Sequence, residues 1–237
     1  MVSPDVAPAA DAASLGHEAA RYAVLRRMGS AIRHQIAGSL QPVSMIASLV
    51  ERRVQAPSPN LDALRRNCGE MSTLARSASA ECVALMAWLA PHEGEQVPLN
   101  KGVEECLHLL TTELSFRGFA VQDATQDVDA PVARQTLRTM LPACLMALTD
   151  ASASQALVRI GASVEGAAIS LSLSLSPALD ADTEAQRAKA YRPLSWADVK
   201  ALARAEGVRV QIGPQGVQIH FDVLHELPGR GSEVRWG

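Results

Sequence analysis

Residues 31–53 read AIRHQIAGSLQPVSMIASLVERR, and the way their apolar positions repeat decides the fold. Ile32, Ile36, Leu40, Val43, Ile46, Ala47 and Val50 recur at steps of three and four, which gathers side chains on one face of an α-helix. Leu25 and Met28 extend the stripe backwards and Val54 forwards, so one helix is predicted from about Ser14 to Gln55, with Pro42 inside it. Working outward, APSPN at 56–60 breaks the pattern, with Ser58 read as an N-cap and Pro59 as the first residue of a second helix. That helix carries Leu61, Leu64, Cys68, Met71, Ala75, Ala78, Cys82, Leu85 and Leu89 at the same spacing and should stop near Pro91. Two long helices joined by a short turn form an antiparallel hairpin over residues 14–91. A lone hairpin cannot cover an apolar stripe of about eight turns. Pairing with a second copy is therefore expected, giving a homodimer built on a four-helix bundle.

The 237 residues are 48% hydrophobic and 20% charged, enough to bury a core. Only eight are aromatic, so that core must be aliphatic, which suits packed helices and a thin sheet. The formal charge is −3, and no stretch interleaves Lys or Arg with aromatic residues, which argues against nucleic acid or an anionic membrane as a partner. Cys68, Cys82, Cys106 and Cys144 fall in apolar helical patterns and never as CxxC, so buried reduced thiols are expected and a metal site is not. Residues 1–13, rich in Ala, Pro and Asp, read as disordered and lack the basic and apolar regions of a signal peptide. No apolar run reaches the roughly 18 residues of a membrane span. The expected location is the cytoplasm.

HEGEQ at 92–96 reads as a linker into a second unit over 97–226, followed by a tail at 227–237. Residues 97–118 give a short strand and a helix with Val103, Leu107, Leu110 and Leu114 inward, ended by Gly118. FAVQ at 119–122 is a short strand, 132–149 a helix, and 155–176 two strands of period-two alternation about a turn at Glu165 and Gly166. Residues 177–192 are polar and irregular; 193–207 form a helix ended by Gly207, and VRVQIG with GVQIHFDVL closes as a hairpin. The predicted class is α+β: a helical hairpin followed by an α/β sandwich with helices on one face of a mixed sheet.

A hairpin bearing one histidine, followed by this order of elements, resembles the transmitter core of a two-component histidine kinase from about Tyr22 to Leu224. The text RHQIAGSLQPV at 33–43 is similar to the family variant with Leu six and Pro eight residues after the histidine, here Leu40 and Pro42 after His34. Where that family has an acid beside the phosphorylated histidine, this chain has Gln35, and where it has Thr or Asn four residues on, Gly38. The family's asparagine box, which ligates Mg²⁺ and nucleotide, falls on LPACLMALTDA at 141–151, with Ala143 and Ala147 in the asparagine places. No glycine occurs between Gly166 and Gly207, where the family carries its glycine boxes. The resemblance implies a degenerate ATPase-like (GHKL) sandwich without ATP, needing no cofactor or metal of its own; any Mg²⁺ would come with a partner.

At about 100° per residue, His34 stands roughly opposite the apolar stripe and should face solvent. Its expected neighbours on that face are Arg27, Ser30, Gly38, Gln41 and Met45, and with Gln35 these are the candidate partner-binding residues. The docking groove is expected between the two hairpin helices, with Asp62, Arg65, Arg66 and Glu70 as its border or simply a solvated face. Accepting a phosphoryl group from an aspartyl phosphate asks only for a neutral imidazole free to approach in line. The reading favoured by the resemblance is an ATP-independent histidine phosphotransferase whose catalytic residue is His34 and whose partners are response-regulator receiver domains. The alternative is a non-catalytic pseudokinase that scaffolds or sequesters a regulator. Pro42 supports either, since it frees the Gly38 carbonyl and can simply kink the helix. His108 reads as structural, and His17, His92, His220 and His225 show no ligand spacing.

Overall fold

The structure is a computed structural model that describes residues 9–89, 94–152, 155–166, 168–177 and 191–222. Two long helices come first, α1 (Ala9–Val54) and α2 (Leu61–Met86). They run antiparallel, as two cross-links show: Gln35 reaches Glu81 at one end and Arg53 donates to Asn67 Oδ1 at 3.1 Å near the other. α1 continues through Pro42 without a break. It starts at Ala9 rather than near Ser14, so the last residues of the stretch expected to be disordered are helical; residues 1–8 lie outside the described residues. The N-cap of α2 is Asn60, not Ser58, and its Oδ1 accepts from the Ala63 N–H at 2.9 Å. An amide two residues further on closes the same first turn that the serine was expected to close.

The expected stripe is buried only in part. Ile32 and Ile36 pack against the core, whereas Leu40, Ala47 and Val54 of α1 and Leu61, Cys68 and Leu89 of the α2 region stay exposed. A single partner helix covers one flank of each stripe and leaves the other flank open. The same geometry corrects the thiol expectation. Cys106 and Cys144 are buried, and burial pushes both thiols up; Cys68 is exposed and Cys82 half-buried.

The second unit follows with β1 (Gln96–Pro98), α3 (Leu99–Phe116), β2 (Phe119–Ala124), β3 (Pro131–Ala133), α4 (Arg134–Ala151), β4 (Ala156–Glu165), β5 (Ala168–Pro177), α5 (Trp196–Ala205), β6 (Arg209–Ile212) and β7 (Gly216–Asp222). β1 and β3 make a small antiparallel pair of their own. The main sheet has the order β2-β4-β5-β7-β6, with β2 parallel to β4 and the other pairs antiparallel. Alternation sets its faces: Ile169, Leu171 and Leu173 of β5 turn inward, and the intervening serines turn outward. α3, α4 and α5 cover the inner face, so the class is the α+β expected. Gly118, Gly166 and Gly207 hold φ of 81°, 59° and 69° at the ends of α3, β4 and α5, the left-handed region that favours glycine. Ser195 caps α5 in a reciprocal capping box with Asp198. Burial raises the Asp198 pKa, but hydrogen bonds from Arg192 and Ser195 outweigh it and hold the carboxyl below its ordinary range. Most of the segment expected to be irregular, 178–190, and the tail lie outside the described residues.

The hairpin is not a separate body on a linker. The first third of α1 lies against α3, α4 and α5, and its Ala20, Ala23, Val24 and Met28 are fully buried in the same apolar cluster as the sandwich. Two alanines allow the close helix approach that larger side chains would block. Arg21 fixes one flank, pairing at 2.6 Å with Glu206, which also accepts from Thr136. Arg138 of α4 stacks over Trp88 at 4.8 Å and pairs with Glu105, tying the end of α2 to α3 and α4.

Candidate functional site

Seven residues are almost two helical turns, so Arg27 and His34 share one face of α1, as their spacing predicts. The sandwich covers that face at Arg27 and ends before His34. This is the physical reason for a correction: Arg27 does not belong to an exposed docking face. Its side chain is 2% exposed and turns to Asp150 of α4. Ser30, His34, Gly38, Gln41 and Met45 are all exposed along the continuation of the face.

Past the edge of the sandwich the two units leave a cleft of about 1170 Å³. α1 lines one wall with Arg26, Arg33 and His34, and the end of α3 lines the other with His108 and Phe116. The groove was expected between the two hairpin helices, whereas the cleft beside His34 lies between α1 and α3. Asp62, Arg65, Arg66 and Glu70 do not border it: they sit roughly 17 to 28 Å along α2 from Glu81 at 1.5 Å per residue. Asp62 and Arg65 are instead a solvated pair 3.6 Å apart.

Gln35 lines the same cleft as His34 but turns its amide away from the imidazole. It lies about 100° round the helix, half-buried, and its Nε2 donates to Glu81 Oε1 at 2.5 Å and contacts His108 Nε2 at 2.5 Å. Three helices, α1, α2 and α3, meet at this amide. His108, read from sequence as structural, is an exposed member of the cleft with its ring against that amide.

Beneath the cleft is a buried ionic cluster that sequence reasoning missed. Asp150, 7% exposed, accepts from both terminal nitrogens of Arg27, from Arg117 Nη2 at 2.7 Å and from the Leu194 N–H at 2.8 Å. Glu113 of α3 approaches Arg27 at 3.9 Å. Burial raises the Glu113 carboxyl above its ordinary value; Arg27 and Arg117 pull it down, and Asp150 pushes it up again. One signal was available: TDA at the end of an otherwise apolar helix places a lone carboxylate where a charge needs a partner.

The residues of α4 do not fit a nucleotide and its Mg²⁺. Ala143 and Ala147 are buried and offer no oxygen, and the carboxylate of Asp150 is committed to two guanidiniums and a backbone N–H. Among the described residues no group of three His, Cys, Asp or Glu side chains is placed to hold a metal ion, and no helix is long and apolar enough to cross a membrane.

No family model matches the chain, and no curated protein matches it. The solved structures it resembles include the histidine kinase AdeS of Acinetobacter baumannii, with 15% identity over 78% of this chain and 98% of that one, at a TM-score of 0.44. A bacterial phosphotransferase shows 11% identity over 92% and 99% of the two chains at 0.36. The histidine kinase ThkA, in complex with the response regulator protein TrrA, shows 13% over 86% and 62% at 0.38. Similarity at this level carries no statement about chemistry.

Proposed function

We propose that the protein is an ATP-independent histidine phosphotransferase, cytoplasmic and dimeric, that passes a phosphoryl group between response-regulator receiver domains through His34. The observation that carries this reading is the position of His34: an exposed imidazole at the open edge of a cleft that holds Arg26, Arg33 and Arg117. An unpaired ring nitrogen of His34 attacks the phosphorus of a receiver's aspartyl phosphate. The N–P bond forms as the P–O bond to the aspartate breaks, and the carboxylate leaves. A second receiver's aspartate then attacks the phosphorus, the P–O bond forms, the N–P bond breaks and the imidazole is restored. The receiver brings its own Mg²⁺. Ala143 and Ala147 in the place of metal-binding side chains support a reaction without ATP, and the side chain of Gln35, drawn to Glu81 and His108, supplies no base.

The exposed flank of the hairpin, with Leu40, Val54, Val83 and Met86, supports the four-helix dimer. Val83→Asp should convert a dimer to a monomer by sedimentation equilibrium; a wild-type chain that sediments as a monomer refutes the dimer.

The deciding experiment incubates the purified protein with ³²P-labelled phosphorylated receivers from its host. Label should appear on the protein, be stable to alkali and labile to acid, and be absent from His34→Ala. That variant should keep the wild-type unfolding midpoint because the side chain is exposed. Tight receiver binding without label would replace the reading by the scaffold.

A further inference from the structure

The cleft beside His34 has two walls, and only one belongs to the helix that carries the histidine. From α1 come Arg26 and Arg33. The guanidinium of Arg26 is held in place, 4.3 Å over the Tyr191 ring and 2.9 Å from the Tyr22 hydroxyl. Arg33 is exposed and has no carboxylate partner among the described residues. From the sandwich comes Phe116, the last residue of α3, which at 82% exposed leaves its ring in water at the lip of the cleft. With Arg117 on the same wall, the cleft brings four arginines, two histidines and one carboxylate, Glu113, to a single hollow.

We infer that this hollow docks an acidic protein surface by both walls at once, with Arg26 and Arg33 facing the acidic rim of the partner and Phe116 seated in an apolar depression beside it. The inference rests on the phosphotransfer reading, in which the partner is a receiver, and it assigns the sandwich a task of its own: it supplies the anchor that fixes the partner over His34. Charge selects the occupant. Arg26 and Arg33, the two arginines of the cleft not paired with Asp150, attract a negatively charged surface and steer its approach. Size and exposure separate a protein from a small ligand. Small-molecule sites are hollows of roughly 300 to 1,000 Å³, whereas this one is larger and four of its apolar lining residues, Phe116, Leu89, Tyr22 and Tyr191, are more than half exposed. Solvated aromatic rings beside arginines are the composition of an interface hot spot.

The test measures receiver binding by calorimetry and steady-state transfer kinetics for the wild type, Phe116→Ala, Arg33→Glu and Val164→Ala, the last an exposed apolar residue of β4 far from the cleft. Phe116→Ala should raise both the Kd and the KM for the receiver about tenfold, with kcat within about twofold. Arg33→Glu should weaken binding by at least as much and flatten its dependence on salt. Val164→Ala should behave as wild type. Values within about twofold of wild type for Phe116→Ala, with His34 still labelled, would overturn the two-walled site and leave phosphotransfer standing. Absence of label on His34, with receiver binding still lost in Phe116→Ala, would refute phosphotransfer and support the docking surface. Displacement of the receiver by micromolar ATP, used as a small polyanion probe, would make the hollow a small-ligand site and overturn the inference.

Discussion

Replacing Asp150 with leucine should be among the more damaging single changes in the described structure. The carboxylate is buried and accepts four hydrogen bonds, two of them from a guanidinium that is itself almost wholly buried. Its removal strands the Arg27 charge with only Glu113, at 3.9 Å, as compensation, and orphans the Leu194 N–H. Removing one partner of a buried ion pair costs about 3–5 kcal/mol, and an unsatisfied backbone donor adds about 1 kcal/mol. Arg117 is 16% exposed and can turn to water, which keeps the total in the lower half of that sum, about 4–5 kcal/mol. For a chain of this size each kcal/mol lowers Tm by about 2–4 °C, so a fall of roughly 8–20 °C should appear by calorimetry, with a matching shift in the urea midpoint. The companion variant Arg27→Met with Asp150→Leu removes the stranded charge and should be more stable than Asp150→Leu alone by about 2 kcal/mol. A loss below about 1 kcal/mol for Asp150→Leu, or a double variant that loses the sum of the singles, would show that the cluster does not hold the hairpin to the sandwich.

Glu113→Gln tests the sign of the neighbouring carboxylate. Its folded pKa is raised above the ordinary 4.5, so the folded state keeps a proton that the unfolded chain releases, and stability from this group falls as pH rises from the ordinary value through the raised one. The glutamine variant should gain on the wild type in urea unfolding as pH rises above the ordinary carboxyl value; losing ground there would make Glu113 a net stabilising anion. Gln35→Glu sets a carboxylate against Glu81 and removes both amide contacts, so it should cost about 1–2 kcal/mol in urea unfolding. It should also bring no ATP-dependent label, and the appearance of such label would refute the account of the site. In Gly216→Ala the added Cβ would meet the Leu173 carbonyl oxygen at 2.3 Å, a backbone atom of the neighbouring strand that cannot turn away. A loss of about 1–3 kcal/mol is expected, with amide exchange faster in β5, β6 and β7.

The sandwich was legible because its signals are local. Period two in ISLSLSL and glycines where the chain must turn with positive φ each need only a few residues. The helical hairpin was legible for the same reason. What the wheel could not show was that α1 touches different neighbours along its length. Arg27 and His34 are equivalent by angle, and only the edge of a unit a hundred residues away makes one an ion-pair partner and the other a solvent-facing imidazole. Asp150 escaped notice because its partners lie 33 and 123 positions distant and no periodicity links them. Phe116 was hidden as the last residue of a well-formed amphipathic helix, where a large apolar side chain reads as core. Asn60 was missed through competition at close range, since Ser58 and Asn60 offer the same capping chemistry two residues apart.

The two alanines where α1 meets the sandwich bear on why that unit stays joined to the histidine-bearing helices. Ala20 and Ala23 belong to one apolar cluster shared by the hairpin and the sandwich, so neither half has a complete interior without the other. Cutting the chain near Gly94 would bare Val24 and Met28 on one fragment and the outer faces of α4 and α5 on the other, surfaces prone to aggregation. On this view the sandwich cannot be removed without disturbing His34, because the helix that presents the histidine is built upon it.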